Sequence, residues 1–226
     1  QDTMSLRDAG LIQFYVESSQ EAYDIHLAAF KIAEDPAIML PVMVCMDGWV
    51  LTHSYERVEL LDQETVDQFL PGFQPQNYLD PADPKTWGSY AEADVLMEFK
   101  YAIHQAMTAG KPRIREILAE VATITGRDHG GLIEAYRTDD ADVVLVAMGS
   151  VVGTIKDAVD ELRHGGKKVG LVKIRCYRPF PHTEILEAVR GARVVAVMDA
   201  NFSMGSEGAV GLDLKAKLYG RPDAPI

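Results

Sequence analysis

Ile-Met-Leu-Pro-Val-Met-Val-Cys-Met-Asp-Gly-Trp-Val-Leu-Thr-His, residues 38–53, opens with nine residues that are all apolar or proline and stops abruptly at Asp47-Gly48. A short apolar run bounded by a turn signal suits a strand buried on both faces, in the middle of a parallel sheet under helices. In open α/β sheets, ligands bind outside the carboxyl ends of the strands. Asp47, Gly48, Thr52 and His53 fall at that end. On spacing alone, Asp47 reads as a turn cap and His53 as a satisfied buried imidazole. Both are expected to be largely buried and hydrogen-bonded, because an unpaired buried polar group is costly.

Working outward, residues 11–16 are apolar except Gln13 and read as a strand. Ser18 and Glu21 form a capping-box pattern at the start of a helix over 20–34. Ala22, Ile25, Ala29, Ile32 and Ala33 make its apolar stripe, and Asp35-Pro36 ends it. Strand, helix and the run 38–46 therefore form a right-handed β-α-β unit. Downstream, Asp62 caps a short helix over 63–70 that Pro71-Gly72 terminates. Residues 71–87 carry Pro71, Pro75, Pro81 and Pro84 with almost no periodicity. Such a long irregular connection is uncommon inside a compact domain. It reads as an arm lying over a neighbouring surface through Phe73, Tyr78, Leu79 and Trp87. A helix is expected over 93–109, with Leu96, Phe99, Ile103, Ala106 and Met107 on one side. Gly110-Lys111-Pro112 should break or kink it. It resumes over 113–123 with Ile114, Ile117, Leu118 and Val121. The loop 125–131 is the expected boundary, dividing the chain into 1–130 and 131–226.

The second part alternates strands and helices at short intervals, which argues βαβ units and a parallel sheet. Strands are expected at 142–148, 169–174 and 194–199. Helices are expected at 151–163, 182–189 and 209–219. Gly165-Gly166 ends the first of these helices, and Arg178-Pro179-Phe180-Pro181 is a rigid turn into the second.

The chain has 226 residues, and 22 basic against 34 acidic side chains leave a formal charge of −12. No basic run or basic helix face interrupts that acidity. A phosphate-backbone binder needs one, so nucleic acid is not an expected partner, nor is an anionic membrane surface. No apolar run approaches the length of a membrane span. Cys45 and Cys176 are far apart, in strand contexts, with no CxxC between them. They read as reduced buried thiols of a cytoplasmic protein. Two cysteines cannot ligate an iron–sulfur cluster alone.

No metal-ligand motif, nucleophile elbow or P-loop occurs, so no metal ligand is assigned. Gly149-Ser150-Val151-Val152-Gly153 lacks the spacing of a dinucleotide fingerprint and reads as a strand-to-helix turn with Ser150 as N-cap. Absence of that fingerprint also removes a nicotinamide-dependent dehydrogenase. Gly205-Ser206-Glu207-Gly208 has two readings, an anion seat at a helix N-terminus or a surface loop contacting a partner domain. Arg7 precedes the first strand. Its planar fork could hold a substrate carboxylate, or it could make an Arg7–Asp8 surface contact.

Several stretches taken together resemble one family. Arg7-Asp8-Ala9-Gly10-Leu11-Ile12-Gln13-Phe14-Tyr15, Gln20-Glu21-Ala22-Tyr23-Asp24, Leu40-Pro41-Val42-Met43-Val44, Asp47-Gly48 and Leu51-Thr52-His53 closely resemble the alpha subunit of pyruvate:ferredoxin oxidoreductase and its 2-oxoacid relatives. The likeness continues through Phe69-Leu70-Pro71, Leu79-Asp80-Pro81, Asp139 to Val144, Met148-Gly149-Ser150, Gly153-Thr154 and Arg175 to Pro181, over essentially the whole chain.

The resemblance implies an α/β fold. Its first part is the later portion of a parallel-sheet thiamine pyrimidine-binding-type domain. A transketolase C-terminal-like three-layer α/β domain follows. It implies oxidative decarboxylation of a 2-oxoacid on thiamine diphosphate with Mg, delivery of the acyl group to coenzyme A, and electron transfer through iron–sulfur clusters in partner subunits to ferredoxin. The family's carboxylate-binding arginine maps onto Arg7. Its cofactor-activating glutamate and early substrate-contacting threonine map upstream of Gln1, and the diphosphate is expected on another subunit or segment. The chain alone is therefore expected to be inactive, a fragment of a longer polypeptide. A role as a non-catalytic assembly module is the competing reading.

Two departures stand out. Ala9 and Leu11 stand where the family pattern has Thr and Trp, and Cys45-Met46-Asp47-Gly48-Trp49 stands where an Asn-Leu-Asp-Gly-Phe type sequence is common. The lost volume beside Arg7 either opens a pocket for a branched or aryl 2-oxoacid or is repacking compensated by Trp49. Repacking is favoured slightly, with pyruvate as the default substrate.

Overall fold

The computed structural model describes residues 2–75, 77–88, 90–221 and 225. The described elements are, in order, α1 (Asp2–Ser5), β1 (Ile12–Tyr15), α2 (Ser19–Glu34), β2 (Val42–Cys45), α3 (Val50–His53), α4 (Gln63–Phe69), α5 (Leu96–Thr125), β3 (Ile133–Tyr136), β4 (Val143–Ala147), α6 (Val151–His164), β5 (Val169–Ile174), β6 (Cys176–Arg178), α7 (His182–Ala188), β7 (Val194–Val197) and α8 (Ala209–Leu218). They build two sheets, ordered β2-β1-β6 and β3-β5-β4-β7.

The β-α-β unit forms as expected. β1 and β2 run parallel from Ile12 opposite Val42 to Tyr15 opposite Cys45, with α2 as the crossover. The central strand is β1, not β2. All four β1 residues are buried, whereas β2 lies at the sheet edge and is mostly half-buried. The apolar run 38–46 is thus a shorter strand than its composition suggests. Pro41 has no N–H to give a ladder, and Met39 has φ 46°, so the chain turns before β2 begins. Ile38 and Leu40 are still buried; they anchor the turn in the core.

Ser18 caps α2 as predicted, its hydroxyl accepting from the Glu21 N–H at 3.1 Å. The reciprocal half of the capping box is not made. The Glu21 carboxylate accepts from the Glu17 N–H instead, then joins a buried ion cluster. Lys173 Nζ lies 2.7 Å from Glu21 and 2.7 Å from Glu17, and the Arg175 guanidinium also pairs with Glu21. Lys156 closes the cluster onto Glu17 and Glu134. These charges join α2 of the first sheet to β3, β5 and α6 of the second.

α5 runs unbroken through Gly110 and Pro112, so of the break or kink expected there the break does not occur. Proline costs one backbone hydrogen bond. Against that stands the stripe Ile114, Ile117, Leu118 and Val121, buried against the first core. Gly110 permits the close approach, since a Cβ there would lie 2.9 Å from Ile38 Cγ1. Ion pairs of Arg113 with Asp35 and of Lys31 with Glu120 fasten α5 to α2. The stripe fails at the other end, where Leu96 and Phe99 are exposed. The loop expected at 125–131 is tied back to α2, because buried Asp24 accepts from Arg127 and pairs with His129.

In the second sheet β4, β5 and β7 are parallel, as the alternation predicts. β3 and β6 are additions that the sequence pattern did not show. β3 pairs antiparallel with β5. β6 leaves the second sheet's neighbourhood and pairs antiparallel with β1, so residues C-terminal to the expected boundary complete the first sheet. No described helix is long and apolar enough to cross a membrane.

Candidate functional site

The carboxyl ends of β1, β2, β4 and β7 converge on one cleft of about 560 Å³. Tyr15 and Cys45 end the first two strands on one wall. Gly149 and Ser150 follow β4 on the other, and Met198 to Asn201 follow β7. Thr3 and Met4 of α1 close one side. A second cavity, about 500 Å³, lies between β7 and α8 and shares Asp199 with the first. The first is the candidate site because it sits where two parallel arrangements both open.

Asp47 organises the floor. Its Oδ1 accepts from the N–H groups of Trp49 and Val50, each at 2.7 Å. Its Oδ2 accepts from the Ser150 hydroxyl at 2.6 Å. The Ser150 hydroxyl, then the two N–H groups, hold the Asp47 carboxyl below the usual carboxylate range. Asp47 is therefore the predicted turn cap, hydrogen-bonded as expected but half-exposed rather than buried, and also a bridge between the sheets. That second role displaces the N-cap expected of Ser150, whose side chain makes no cap bond to α6.

His53 departs from its prediction. It is exposed, lies 3.1 Å from Thr52 Oγ1 through its Nδ1, and stacks on Trp49 with ring centroids 5.0 Å apart. α3 is a single turn beside the edge strand β2. Trp49 itself is 76% exposed and does not fill volume beside Ala9 or Leu11.

Deeper in the cleft, the Tyr15 hydroxyl donates to Met4 Sδ at 3.0 Å and lies 2.9 Å from Thr3 Oγ1. Burial raises the Tyr15 and Cys45 pKa values, so both stay neutral near pH 7. Burial also raises the Asp199 pKa, opposed by the Val210 N–H. Asp199 caps α8, its Oδ2 accepting from Val210 at 2.9 Å, while the Asn201 amide oxygen accepts from Ala209. That disposes of the anion seat at Gly205-Ser206-Glu207-Gly208, because this helix start already holds a carboxylate of the chain itself.

Arg7 does not line the cleft. It sits on the turn after α1, where Nη1 donates to the Met4 carbonyl at 3.1 Å and Nε lies 3.7 Å from Asp8. Gln13, buried in β1, donates to the Thr3 carbonyl at 2.9 Å and holds the start of that segment. Ala9 and Leu11 also lie outside the cleft lining.

The cleft wall is methionine-rich: Met46, Met148 and Met198 stand around Trp49 and Tyr15. Such a surface suits the uncharged part of a ligand. It does not suit a diphosphate. Asp2, Asp47 and Asp199 line the cleft without a lysine or arginine, and no group of metal-binding side chains occurs among the described residues.

Residues 1–118 match the family described as "Pyruvate flavodoxin/ferredoxin oxidoreductase, thiamine diP-bdg". The chain belongs to this oxidoreductase family. Residues 141–226 match "Pyruvate:ferredoxin oxidoreductase core domain II". The pyruvate synthase subunit PorA of Methanosarcina barkeri is 50% identical over 97% of the chain and 55% of its own length. The ketoisovalerate oxidoreductase subunit VorA of Pyrococcus abyssi is 42% identical over 100% of the chain and 57% of its own length. The chain thus spans little more than half the length of these family members. A 2-oxoglutarate:ferredoxin oxidoreductase from Magnetococcus marinus, solved with 2-oxoglutarate, coenzyme A and succinyl-CoA bound, shares the fold. Its TM-score is 0.52 at 17% identity, over 96% of this chain and 38% of that one.

Proposed function

We propose that the chain supplies part of the alpha subunit of a thiamine diphosphate-dependent 2-oxoacid oxidoreductase. The complete enzyme decarboxylates pyruvate or a related 2-oxoacid, passes the acyl group to coenzyme A and the electrons to ferredoxin. The observation that carries this reading is the family match across residues 1–118. We assign 1–130 to the thiamine pyrimidine-binding-like part with its arm and 131–226 to the transketolase C-terminal-like part. Partner subunits hold the iron–sulfur clusters, and another subunit or segment holds the Mg-diphosphate. When bound, thiamine diphosphate supplies the carbanion chemistry. This chain's share is to bind the substrate carboxylate through Arg7. Two buried free thiols fit a cytoplasmic location.

Pyruvate is the substrate this reading favours. The PorA sequence is closer than the VorA sequence. In the purified complex, kcat/KM for pyruvate should exceed that for 2-oxoisovalerate and phenylglyoxylate by about tenfold or more, the scale of one misfit methylene. Preference for a bulkier acid, reversed by Ala9→Thr with Leu11→Trp, would establish the enlarged pocket instead. Lack of any 2-oxoacid-dependent, coenzyme A-requiring acceptor reduction would defeat the functional reading itself.

The arm is assigned to a contact with another domain or subunit. Phe73, Tyr78, Leu79 and Trp87 are 44%, 59%, 75% and 48% exposed, and Met97 and Phe99 of α5 are exposed as well. Soluble proteins seldom leave so much apolar surface uncovered. Limited proteolysis should cut the separated subunit early within 71–87 and spare it in the complex. Equal cutting rates in both states would remove the assignment.

A further inference from the structure

Arg178 ends β6 in an unusual register. Phe14 of β1 stands opposite Cys176 and Gln13 stands opposite Arg178, which leaves Tyr177 as an extra, bulged residue. Bulges redirect the side chains beside them. Here the Arg178 guanidinium reaches four places, one of them the adjacent Tyr177 carbonyl, to which Nη1 donates at 3.2 Å. Nη1 donates to Asp213 Oδ2 of α8 at 2.9 Å. Nε donates to the backbone carbonyl of Arg7 at 3.2 Å. Nη2 lies 3.7 Å from Asp8. The group lies over the Tyr177 ring, 4.4 Å from its centroid, and the Tyr177 hydroxyl donates to the same Asp213 oxygen at 2.7 Å.

One side chain, only 15% exposed, therefore ties a strand, a helix and the turn that carries Arg7. The bond to the Arg7 carbonyl fixes the main chain of the residue assigned to the substrate. We propose that Arg178, oriented by Asp213, is the positioning residue that sets Arg7 for the 2-oxoacid carboxylate. The inference rests on the reading of Arg7 given above. Its physical basis is the fork. A guanidinium presents donors in several fixed directions and serves Asp213 and the Arg7 carbonyl together, whereas a lysine ammonium is a point charge on a flexible stem. Arg7 is long, so a small shift at its backbone moves its own guanidinium by more. Misplacement by about 1 Å costs on the order of 100-fold in a fitted site.

The test uses the complete oxidoreductase complex with Arg178→Lys, Asp213→Asn, Arg7→Ala and the Arg7→Ala/Arg178→Lys double variant. KM for the 2-oxoacid, KM for coenzyme A and kcat are measured for each. Arg178→Lys and Asp213→Asn should raise the 2-oxoacid KM by about tenfold or more and leave the coenzyme A KM unchanged. In the Arg7→Ala background, Arg178→Lys should add nothing. If Arg178→Lys fails to assemble, Asp213→Asn decides, since Asp213 is 32% exposed on a helix face and the change is isosteric. An unchanged 2-oxoacid KM overturns the proposal, as does an equal rise in both KM values, which marks general damage. An impaired Arg7→Ala enzyme with a fully multiplicative double variant overturns it and leaves the reading of Arg7 standing. An unimpaired Arg7→Ala enzyme overturns both.

Discussion

Glu21→Gln is expected to lower folding stability by about 3–5 kcal/mol, the usual cost of leaving a buried charge without its partner. Glu21, Lys173 and Arg175 are 0%, 1% and 0% exposed. Removing the Glu21 charge leaves Lys173 with Glu17 alone and Arg175 with a distant Glu134, 3.7 Å away. Arg175 Nη2 already lacks a hydrogen bond, so no spare acceptor stands ready. Burial alone raises the Glu21 pKa, but Lys173 and Arg175 outweigh it and hold the carboxyl down to about 2 from its ordinary 4.5. A depressed carboxylate stabilises the fold fully above its unfolded pKa, and loses that contribution as pH falls through the folded one. The contribution should therefore fade between about pH 4.5 and 2. Urea unfolding of the complete subunit measures both effects. The variant should show a lower midpoint at pH 7 and a shallower loss across that acid window. A midpoint within error of the parent at pH 7 would show that the cluster is not required. Replacing Glu21, Lys173 and Arg175 together with methionines should recover part of the loss, since an apolar substitute for a buried ion cluster is often neutral or better.

Arg7→Ala in the complete complex should lower kcat/KM for the 2-oxoacid by about 10- to 150-fold. That range corresponds to losing a charge-assisted bond of roughly 1.5–3 kcal/mol to an anion shielded from water. Arg7→Lys should restore only part of it, because the planar fork is gone. In the structure the Arg7 side chain rests on the Met4 carbonyl and beside Asp8, both weak anchors for a side chain 29% exposed. Its removal should leave the unfolding midpoint nearly unmoved. Loss of activity with stability intact is thus the expected pair of results. Unchanged kinetics would sink the assignment, and a matching loss of stability would move Arg7 into the structural class.

The local elements were legible in the sequence wherever one periodicity met a capping or breaking residue. β1, α2, α4, β4, α6, β5 and α7 lie within about two residues of their predicted bounds. The Ser18 and Asp62 caps form as predicted. These features depend on neighbours a few residues apart, so the chain itself specifies them. The order of motifs also placed the chain in its family, and the family match agrees. Pro112 misled because propensity weighs one lost hydrogen bond, whereas the folded chain weighs the burial of a whole stripe against α2.

Tertiary structure decided what lay far apart in sequence. The Ser150 to Asp47 bond, the Lys173 and Arg175 pairs with Glu21, and the Arg178 link to Arg7 span 103, 152, 154 and 171 positions. No periodicity encodes such pairs. β3 and β6 are four and three residues long, too short for an alternation to show, and exist because β5 and β1 offer them ladders. Sequence alone determined most of the helices and strands, though not β3, β6 or the course of α5 through Pro112, and the family they belong to, because short-range sterics and apolar periodicity settle those choices. Which strand is central, which charges are buried and which residues meet at the cleft were set by packing, because each depends on what another distant segment covers.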